Sequence, residues 1–397
     1  MSNMKEASAM SLSRRSFVQT LGAGAAGAWI GGRGLEGERF SLAALDAAEQ
    51  NAAGGARLIL SSNENPLGTP QPVLDAVRAA LTTTGGRYPV EELDALSETI
   101  AHKHGVEPEN VLLGSGSTQV LRTATHVFCS RTASLVAAIP AYEECADYAA
   151  LMGYPVNGVK LNAELKMDLD AMLGAAKGQG MVFYCNPNNP VATCVGGKAT
   201  QDFIAALHSS SPTTTVLVDE AYFEYVTDPS YETMIPLAIE DPRVVVARTF
   251  SKAYGMAGLR IGYAIGHRTT IKKMADWDGN ASVNMLGVAA AHAALLLPES
   301  TWDAESQRNH DARAFTMKWF ADRGYQSTDS QTNFIFVNIK RPAADFRNAC
   351  AKENVLVGRD FPPYEKSHAR ISIGTMDEMR RAVQTFERAL AKPAAVA

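Results

Sequence analysis

The chain has 397 residues, of which 46% are hydrophobic and 20% are charged, and its formal net charge is −5 at pH 7. That length and composition are sufficient for a folded protein with a sizeable core and two or three domains. The acidic balance, with no clustered basic stripe beyond the N-terminus, argues against nucleic-acid binding. Small molecules are therefore the expected partners.

The cysteines and histidines predict neither a disulfide framework nor a metal site. Five cysteines are odd in number and contain no CxxC pair or Cys/His ligand spacing. We expect them to be buried apolar side chains. His102 and His104 are two residues apart and would not share a helix face.

The first fifty residues differ from the rest of the chain. Ser13 to Gln19 reads SRRSFVQ, a twin-arginine pattern, and the Gly/Ala-rich run from Thr20 to Gly32 follows it. That run is too short and too rich in glycine for a membrane span. We expect residues 1–50 to be a twin-arginine signal and linker, with export of the folded protein to the periplasm; the alternative is a disordered tail with a chance arginine pair.

Polar side chains follow several apolar runs that read as buried strands. Such strand ends are where open α/β sheets bind ligands. A buried acid such as Asp219 needs a cationic partner, and a partly desolvated lysine such as Lys252 acquires a lowered pKa and becomes a nucleophile. A helix predicted to begin near Thr118 offers unpaired N–H groups to an anion. The motifs are Gly114-Ser115-Gly116-Ser117-Thr118, Asn186-Pro187-Asn188-Asn189-Pro190, Asp219-Glu220-Ala221-Tyr222, Thr249-Phe250-Ser251-Lys252 and Arg370-Ile371-Ser372.

In this order the motifs resemble those of the fold type I pyridoxal-phosphate aminotransferases, most closely the histidinol-phosphate aminotransferase branch. The resemblance runs from about Arg57 to the last helix. It implies an α/β fold with a large domain around a mostly parallel sheet (81–298) and a smaller α+β domain (299–397), preceded by an N-terminal arm (51–80). In the C-terminal third we expect a long helix, capped by Ser300 and Thr301 and reaching Arg323, and then a strand-helix-strand-strand-helix series.

The resemblance also implies pyridoxal 5'-phosphate as the cofactor and assigns roles around it. Lys252 binds the cofactor covalently and moves the substrate proton, and Asp219 keeps the ring nitrogen protonated. Tyr222 is the third catalytic residue and reaches the ring oxygen beside Asn189. Tyr142 lies against the ring. The cofactor phosphate is bound by Ser117, Thr118, Thr249, Ser251 and Arg260, and by Tyr88 of the neighbouring subunit, which implies a homodimer.

The substrates implied are an amino donor and a 2-oxo acid acceptor. Arg370 matches the arginine that binds the substrate carboxylate, Arg359 matches the one that binds a substrate phosphate, and Asn65 lies in the segment across the mouth of the site. Phe361 and Tyr364 equally favour an aromatic side chain. Three alternatives stay open: an aromatic amino-acid aminotransferase, a decarboxylase of an amino-acid phosphate on the same fold, and a binding protein without turnover.

Overall fold

The structure is a computed structural model and describes residues 57–278 and 282–391. The predicted twin-arginine signal lies outside these residues. The strands are β1 (Leu58–Leu60), β2 (Val111–Gly114), β3 (Leu135–Ile139), β4 (Val156–Lys160), β5 (Met181–Cys185), β6 (Thr215–Asp219), β7 (Val244–Thr249), β8 (Gly262–Gly266), β9 (Gln326–Ser327), β10 (Phe334–Asn338), β11 (Val355–Val357) and β12 (His368–Ser372). The α-helices are α1 (Gln71–Thr83), α2 (Val90–His104), α3 (Gly116–Phe128), α4 (Glu144–Leu151), α5 (Leu169–Ala176), α6 (Gly197–Ser210), α7 (Ile235–Glu240), α8 (Arg268–Trp277), α9 (Met285–Leu295), α10 (Glu299–Ala321), α11 (Ala343–Ala351) and α12 (Met376–Ala391).

Seven strands form the main sheet in the order β2-β8-β7-β6-β5-β3-β4. All neighbours pair in parallel except at β8, which is antiparallel to both β2 and β7. Every residue of the central strands β5, β6 and β7 is buried, because helices cover both faces of a parallel sheet and such strands are apolar along their whole length. The predicted α/β class with a mostly parallel sheet is confirmed.

The direction of these strands determines where the polar motifs meet. Cys185, Asp219 and Thr249 are the last residues of β5, β6 and β7, so they lie at the same edge of the sheet. β2 runs in the same direction and passes at Gly114 into α3, which begins at Gly116, two residues earlier than predicted. The carboxyl edge of the sheet therefore collects all four of the motifs that follow these strands.

The C-terminal third forms two smaller sheets, and it includes one strand from the start of the described chain. β9, β10 and β12 pair antiparallel, and β1 pairs in parallel with β11. A second hydrophobic cluster fills this region, with Leu58 and Leu60 from β1 packed among residues of α10, α11 and α12. The predicted strand-helix-strand-strand-helix order is present as β10, α11, β11, β12 and α12; the predicted domain boundaries stay predictions.

The long helix α10 does not have its predicted cap. It begins at Glu299 directly after Pro298, and no side chain caps its N-terminus. Ser300 and Thr301 lie inside the first turn. Pro298 has φ −55° and ψ 141°, and a proline at this position fixes the entry of the chain without an N–H of its own to satisfy.

The remaining expectations concern cysteines, metals and membranes. All five cysteines are buried and free, which confirms their prediction as apolar core residues. The described residues contain no group of three His, Cys, Asp or Glu side chains arranged to hold a metal ion. Over residues 57–278 and 282–391, no helix is both long enough and apolar enough to cross a membrane.

Candidate active site

A cavity of about 530 Å³ opens at the carboxyl edge of the main sheet. It lies between the strand ends of the sheet, the segment after β1, and the loop that follows β11. Twelve of the fourteen predicted site residues line it: Ser117, Thr118, Tyr142, Asn189, Asp219, Tyr222, Thr249, Ser251, Lys252, Arg260, Arg359 and Arg370.

One end of the cavity is a cup of hydroxyl and guanidinium groups at the N-terminus of α3. Arg260 Nη1 donates to Ser251 Oγ over 3.4 Å, and Arg260 Nη2 donates to Thr118 Oγ1 over 3.4 Å. A Cβ on Gly116 would lie 2.3 Å from Arg260 Nη2, and Gly116 has φ +73°, so only glycine admits the guanidinium here. A helix N-terminus together with an arginine is a binding site for a phosphate.

Lys252 projects into the middle of the cavity from the loop after β7. Burial is the main cause that lowers the pKa of its amine to about 8, and Arg370 and Arg260 lower it further. Its Nζ donates a long hydrogen bond of 3.4 Å to the carbonyl of Ser62 and lies 5.6 Å from the centre of the Tyr222 ring. Near neutral pH an appreciable share of such an amine is unprotonated and can attack a carbonyl.

Asp219 ends β6 at the floor of the cavity and is 3% exposed. Its Oδ1 has no hydrogen-bond partner, and its Oδ2 is 3.9 Å from the thiol of Cys185. Burial raises the pKa of this carboxyl to about 7, although Lys252 acts in the opposite direction. An unpaired buried carboxylate oxygen in a cavity wall is a strong attraction for a cationic N–H group of a ligand.

Tyr222 and Asn189 form a polar corner beside Asp219. The phenol of Tyr222 accepts a hydrogen bond of 3.1 Å from Asn63 Nδ2, and burial raises its pKa so that it stays protonated. Asn189 Oδ1 accepts a hydrogen bond of 2.7 Å from Arg370 Nη1. Tyr142, in the loop that follows β3, also lines the cavity and is half-buried. The corner presents a hydroxyl and an amide to a ligand oxygen.

The outer end of the cavity carries several arginines. Arg370 is buried in β12; its Nη1 and Nη2 are bound to Asn189 and to the carbonyl of Ser61, and its Nε has no partner. Arg359 lies in the loop after β11 and donates to Glu143 Oε1 over 2.5 Å. Arg347 of α11 is paired with Asp360. Of these three guanidinium groups, Arg370 is therefore the one whose hydrogen-bond partners are neutral.

Two predicted residues are not brought to the cavity. Tyr88 is 91% exposed on this chain, and its role at a neighbouring subunit stays a prediction. Asn65 is occupied elsewhere, because its amide donates to Ala253 O over 2.9 Å and its Oδ1 accepts from Leu67 N over 2.9 Å. Asn65 thus joins the arm to the loop that carries Lys252.

Sequence reasoning missed six polar residues of the cavity: Ser61, Ser62, Asn63, Glu143, Cys185 and Arg347. Asn63 is the most informative, since it is buried with φ +56° and its side chain binds both Tyr222 and Ser372. Asparagine tolerates this backbone region better than most residues. The turn-rich Ser62–Gly68 segment was the available signal, and within it Asn63, not the predicted Asn65, lines the cavity.

These groups match the donors and acceptors of pyridoxal 5'-phosphate. The cup suits its phosphate, the unpaired Oδ1 of Asp219 suits a protonated ring nitrogen, the corner of Tyr222 and Asn189 suits its ring oxygen, and Lys252 suits its aldehyde. Such a site at the carboxyl edge of a mostly parallel α/β sheet defines a pyridoxal-phosphate-dependent enzyme of fold type I.

Comparison with known proteins narrows the class. The sequence profile of the family "Aminotransferase class I and II" matches residues 57–386, and the chain belongs to this family. A relative named "Histidinol-phosphate aminotransferase 2" from Methylococcus capsulatus is 36% identical over 344 residues, which cover 83% of this chain and 90% of the relative. A histidinol-phosphate aminotransferase from Symbiobacterium thermophilum is 35% identical over 335 residues, covering 83% and 90%.

A solved structure agrees with these relatives. Histidinol-phosphate aminotransferase from Sinorhizobium meliloti, solved in complex with pyridoxal-5'-phosphate, superposes with a TM-score of 0.78 at 25% identity and covers 90% of this chain and 98% of that one. The predictions of a pyridoxal-phosphate cofactor and of an aminotransferase are confirmed. The protein is a pyridoxal-phosphate-dependent aminotransferase acting on amino and 2-oxo acids.

Proposed function

We propose that this aminotransferase moves the amino group between a histidinol-phosphate-like amine and a 2-oxo acid. The observation that carries the proposal is the pair of guanidinium groups at the outer end of the cavity, Arg370 and Arg359. A planar guanidinium binds a carboxylate or a phosphate through two parallel hydrogen bonds. The names of the relatives support the same choice.

The proposed roles follow from the positions of the side chains. Lys252 holds the cofactor and moves the proton at the substrate carbon that bears the amino group, since its amine is largely unprotonated above about pH 8. Asp219 Oδ1 holds the proton of the ring nitrogen. Tyr222 and Asn189 orient the ring through its oxygen. When bound, pyridoxal phosphate supplies an electron-accepting ring that stabilises negative charge on the substrate.

The cofactor phosphate is assigned to the cup and the ring to Tyr142. In the cup, Thr249 Oγ1 lies 2.9 Å from Ser251 Oγ, so these two hydroxyls are already arranged side by side. Ser117 and Thr118 add hydroxyls at the start of α3 and Arg260 adds charge. Tyr142 offers a flat apolar surface to a pyridine ring.

The absorbance spectrum of the purified protein tests the proposal. With pyridoxal phosphate bound, a visible band is expected, and addition of an amino donor without acceptor should abolish it in favour of the aminated cofactor. Histidinol phosphate is expected to act faster than tyrosine, phenylalanine or glutamate. A faster reaction with the aromatic donors would instead establish the aromatic alternative, which the nearby ring of Phe361 favours.

Product analysis separates transamination from decarboxylation. Conversion of a phosphorylated amino acid with release of carbon dioxide, and without formation of a 2-oxo acid, would support the decarboxylase alternative. A Lys252→Ala variant that retained full activity would contradict the role of Lys252 in both reactions. Absence of any turnover of the unsubstituted protein with every donor and acceptor would favour the binding protein.

We also propose a homodimer in which Tyr88 reaches the cofactor phosphate of the neighbouring subunit. Support comes from the exposure of Tyr88 together with that of the apolar Leu81 and Val90 near it in the chain. The test is complementation between two inactive variants, Lys252→Ala and Tyr88→Ala. Mixed dimers should regain activity because one of their two sites has both residues intact; no recovery after exchange of subunits would contradict the proposal.

We further propose that residues 1–50 direct twin-arginine export to the periplasm, on the basis of Arg14 and Arg15 in the SRRSFVQ pattern. A reporter fused behind residues 1–50 should appear in the periplasm of a bacterial host, and Arg14→Lys with Arg15→Lys should retain it in the cytoplasm. Export unaffected by the double substitution would contradict this route.

A further inference from the structure

At the outer end of the cavity, the guanidinium groups of Arg370 and Arg359 differ in how firmly they are held. Arg370 is buried, and its two terminal nitrogens are bound to Asn189 and to the carbonyl of Ser61 at 2.7 Å each. Arg359 is 58% exposed, and its partner Glu143 is 40% exposed. Arg370 is therefore a fixed cation, whereas Arg359 can exchange its partner.

Arg359 and Glu143 come from opposite sides of the cavity. Glu143 directly precedes α4 and follows Tyr142, next to the main sheet, and Arg359 lies in the loop after β11, next to the smaller sheets. Their contact of 2.5 Å joins these two sides at the cavity wall. Both residues line the cavity, so any ligand that fills its outer end meets this ion pair.

The two guanidinium groups lie near each other across one aromatic ring. The Cζ atoms of Arg359 and Arg370 lie 4.4 and 4.6 Å from the centre of the Phe361 ring. They can therefore be no farther apart than the sum of these distances, and one small substrate can contact both. The neighbouring Arg347 is already neutralised by Asp360, which leaves the state of Glu143 to decide how much positive charge a substrate encounters.

We propose that Glu143 is a specificity-determining residue that neutralises Arg359 until the second negative charge of a substrate displaces it. A singly charged substrate binds at Arg370 and leaves the pair of Arg359 and Glu143 intact. A dianionic substrate, whether a dicarboxylate or a phosphate monoester, exchanges places with the Glu143 carboxylate. This deepens the proposed function and rests on its assignment of both arginines to substrate binding.

The balance of interactions makes this exchange feasible. An ion pair between partly exposed side chains contributes little, because water and salt screen it. A bidentate contact between a guanidinium and a carboxylate or phosphate is stronger and more directional. An aminotransferase must also admit two different substrates to one pocket in turn, and a removable internal carboxylate lets the same pocket accept both a singly and a doubly charged one.

The test measures binding to the cofactor-loaded protein without turnover. The probes are butyrate, with one negative charge, and two dianions, succinate and propyl phosphate; each Kd is obtained from the change in cofactor absorbance. E143Q should lower the Kd of at least one dianion about fivefold and leave butyrate within about twofold. The dianion that tightens more identifies the second charge as a carboxylate or a phosphate.

Two controls separate this role from a structural one. Glu144 is the adjacent acid, but its partner is Arg122 and it does not line the cavity, so E144Q should change no Kd. In the R359Q background, E143Q should no longer lower the Kd of either dianion. The Arg359 guanidinium, for which Glu143 and the dianion compete, is then absent. If E143Q tightens neither dianion, or tightens butyrate equally, the proposal is overturned. Because no donor has to react, failure of histidinol phosphate as a substrate would be a separate result.

Discussion

Asp219 and Glu220 are consecutive buried acids at the end of β6, and their surroundings are opposite. Asp219 faces the cavity with Oδ1 unpaired. Glu220 faces away from it, where Oε2 accepts hydrogen bonds from Arg248 Nε, Arg248 Nη2 and Thr233 Oγ1 at 2.7 to 2.9 Å and Oε1 accepts from Met234 N at 2.7 Å. Successive side chains of a strand point to opposite faces, so the neighbours Asp219 and Glu220 point in opposite directions.

The comparison distinguishes a buried acid that supports the fold from one that awaits a ligand. Arg248 lies on β7 directly before Thr249, so its ion pair with Glu220 ties the ends of β6 and β7 together beneath the cavity. The guanidinium also stacks 3.7 Å from the centre of the Phe223 ring. A buried carboxylate whose oxygens all have partners in the protein supports the folded state. A buried carboxylate with an unpaired oxygen destabilises the folded state until a ligand supplies the missing partner.

The largest expected effect is on catalysis at Asp219. Asp219→Asn removes the negative charge that we propose holds the ring-nitrogen proton, and we expect kcat/KM to fall about 10³-fold. Stability of the cofactor-free protein should not fall, because Oδ1 has no partner to lose. Steady-state kinetics and urea unfolding measure the two effects; activity within about tenfold of the unsubstituted protein would contradict the role.

Glu220→Gln should show the reverse profile. It replaces the direct carboxylate partner of buried Arg248 with a neutral amide and leaves Glu224, 4.0 Å away, as its remaining ion-pair partner among the described residues. The free energy of unfolding should fall by about 3 kcal/mol, the lower end of the range for breaking a buried ion pair, since the amide keeps part of the hydrogen bonding. Exposed Glu164 provides the matched control, with Glu164→Gln expected within about 0.5 kcal/mol. If Glu220→Gln and Glu164→Gln had equal free energies of unfolding in urea, Glu220 would not support the fold, and the proposed difference between Asp219 and Glu220 would be contradicted.

A smaller effect is expected from pH. Burial raises the pKa of Asp219 to about 7, above the value of about 3.9 in the unfolded chain, so the folded cofactor-free protein holds a proton that the unfolded chain has lost. Stability from this group is therefore lost as pH rises, by about 2 kcal/mol between about pH 5 and pH 7. Urea unfolding at both pH values should show that loss in the unsubstituted protein and not in Asp219→Asn.

The smallest effect should come from Tyr222→Phe. This substitution removes the hydroxyl that accepts a hydrogen bond from Asn63 at the cavity wall. Without the phenol hydroxyl, Asn63 Nδ2 loses its acceptor. The proposed hydrogen bond between Tyr222 and the cofactor oxygen is lost as well. We expect kcat/KM to fall about fivefold to tenfold, the equivalent of about one hydrogen bond. A fall as large as that of Asp219→Asn would indicate that the phenol itself takes part in proton transfer.

Much of the site could be predicted because its motifs are local. Thr249, Ser251 and Lys252 lie within four residues at the end of β7, and Ser117 and Thr118 share one helix start. Each group follows a continuous apolar run that reads as a buried strand. Asp219 was found for the same reason. The α/β fold with parallel strands then brings these loops to one edge without further information.

Contacts between distant segments could not be read from the chain. Asn63, not Asn65, reaches the cavity because β1 pairs with β11 and the chain then turns through a positive φ at Asn63. Glu143 meets Arg359 across 216 positions, and no pattern in either segment indicates the other. The two asparagines carry equal local signals, and packing alone decides between them.

By itself the sequence determined which groups this protein brings to its cavity: a lysine, an acid, and a cup of hydroxyl and guanidinium groups near the ends of β2, β6 and β7. These groups are set by residue type and by their order along the chain. Only the tertiary structure decided the electrostatics. It left Asp219 unpaired and paired Glu220, lowered the pKa of the Lys252 amine to about 8, and placed Glu143 against Arg359. Burial and pairing depend on what surrounds a side chain in space, and those neighbours come from the whole chain.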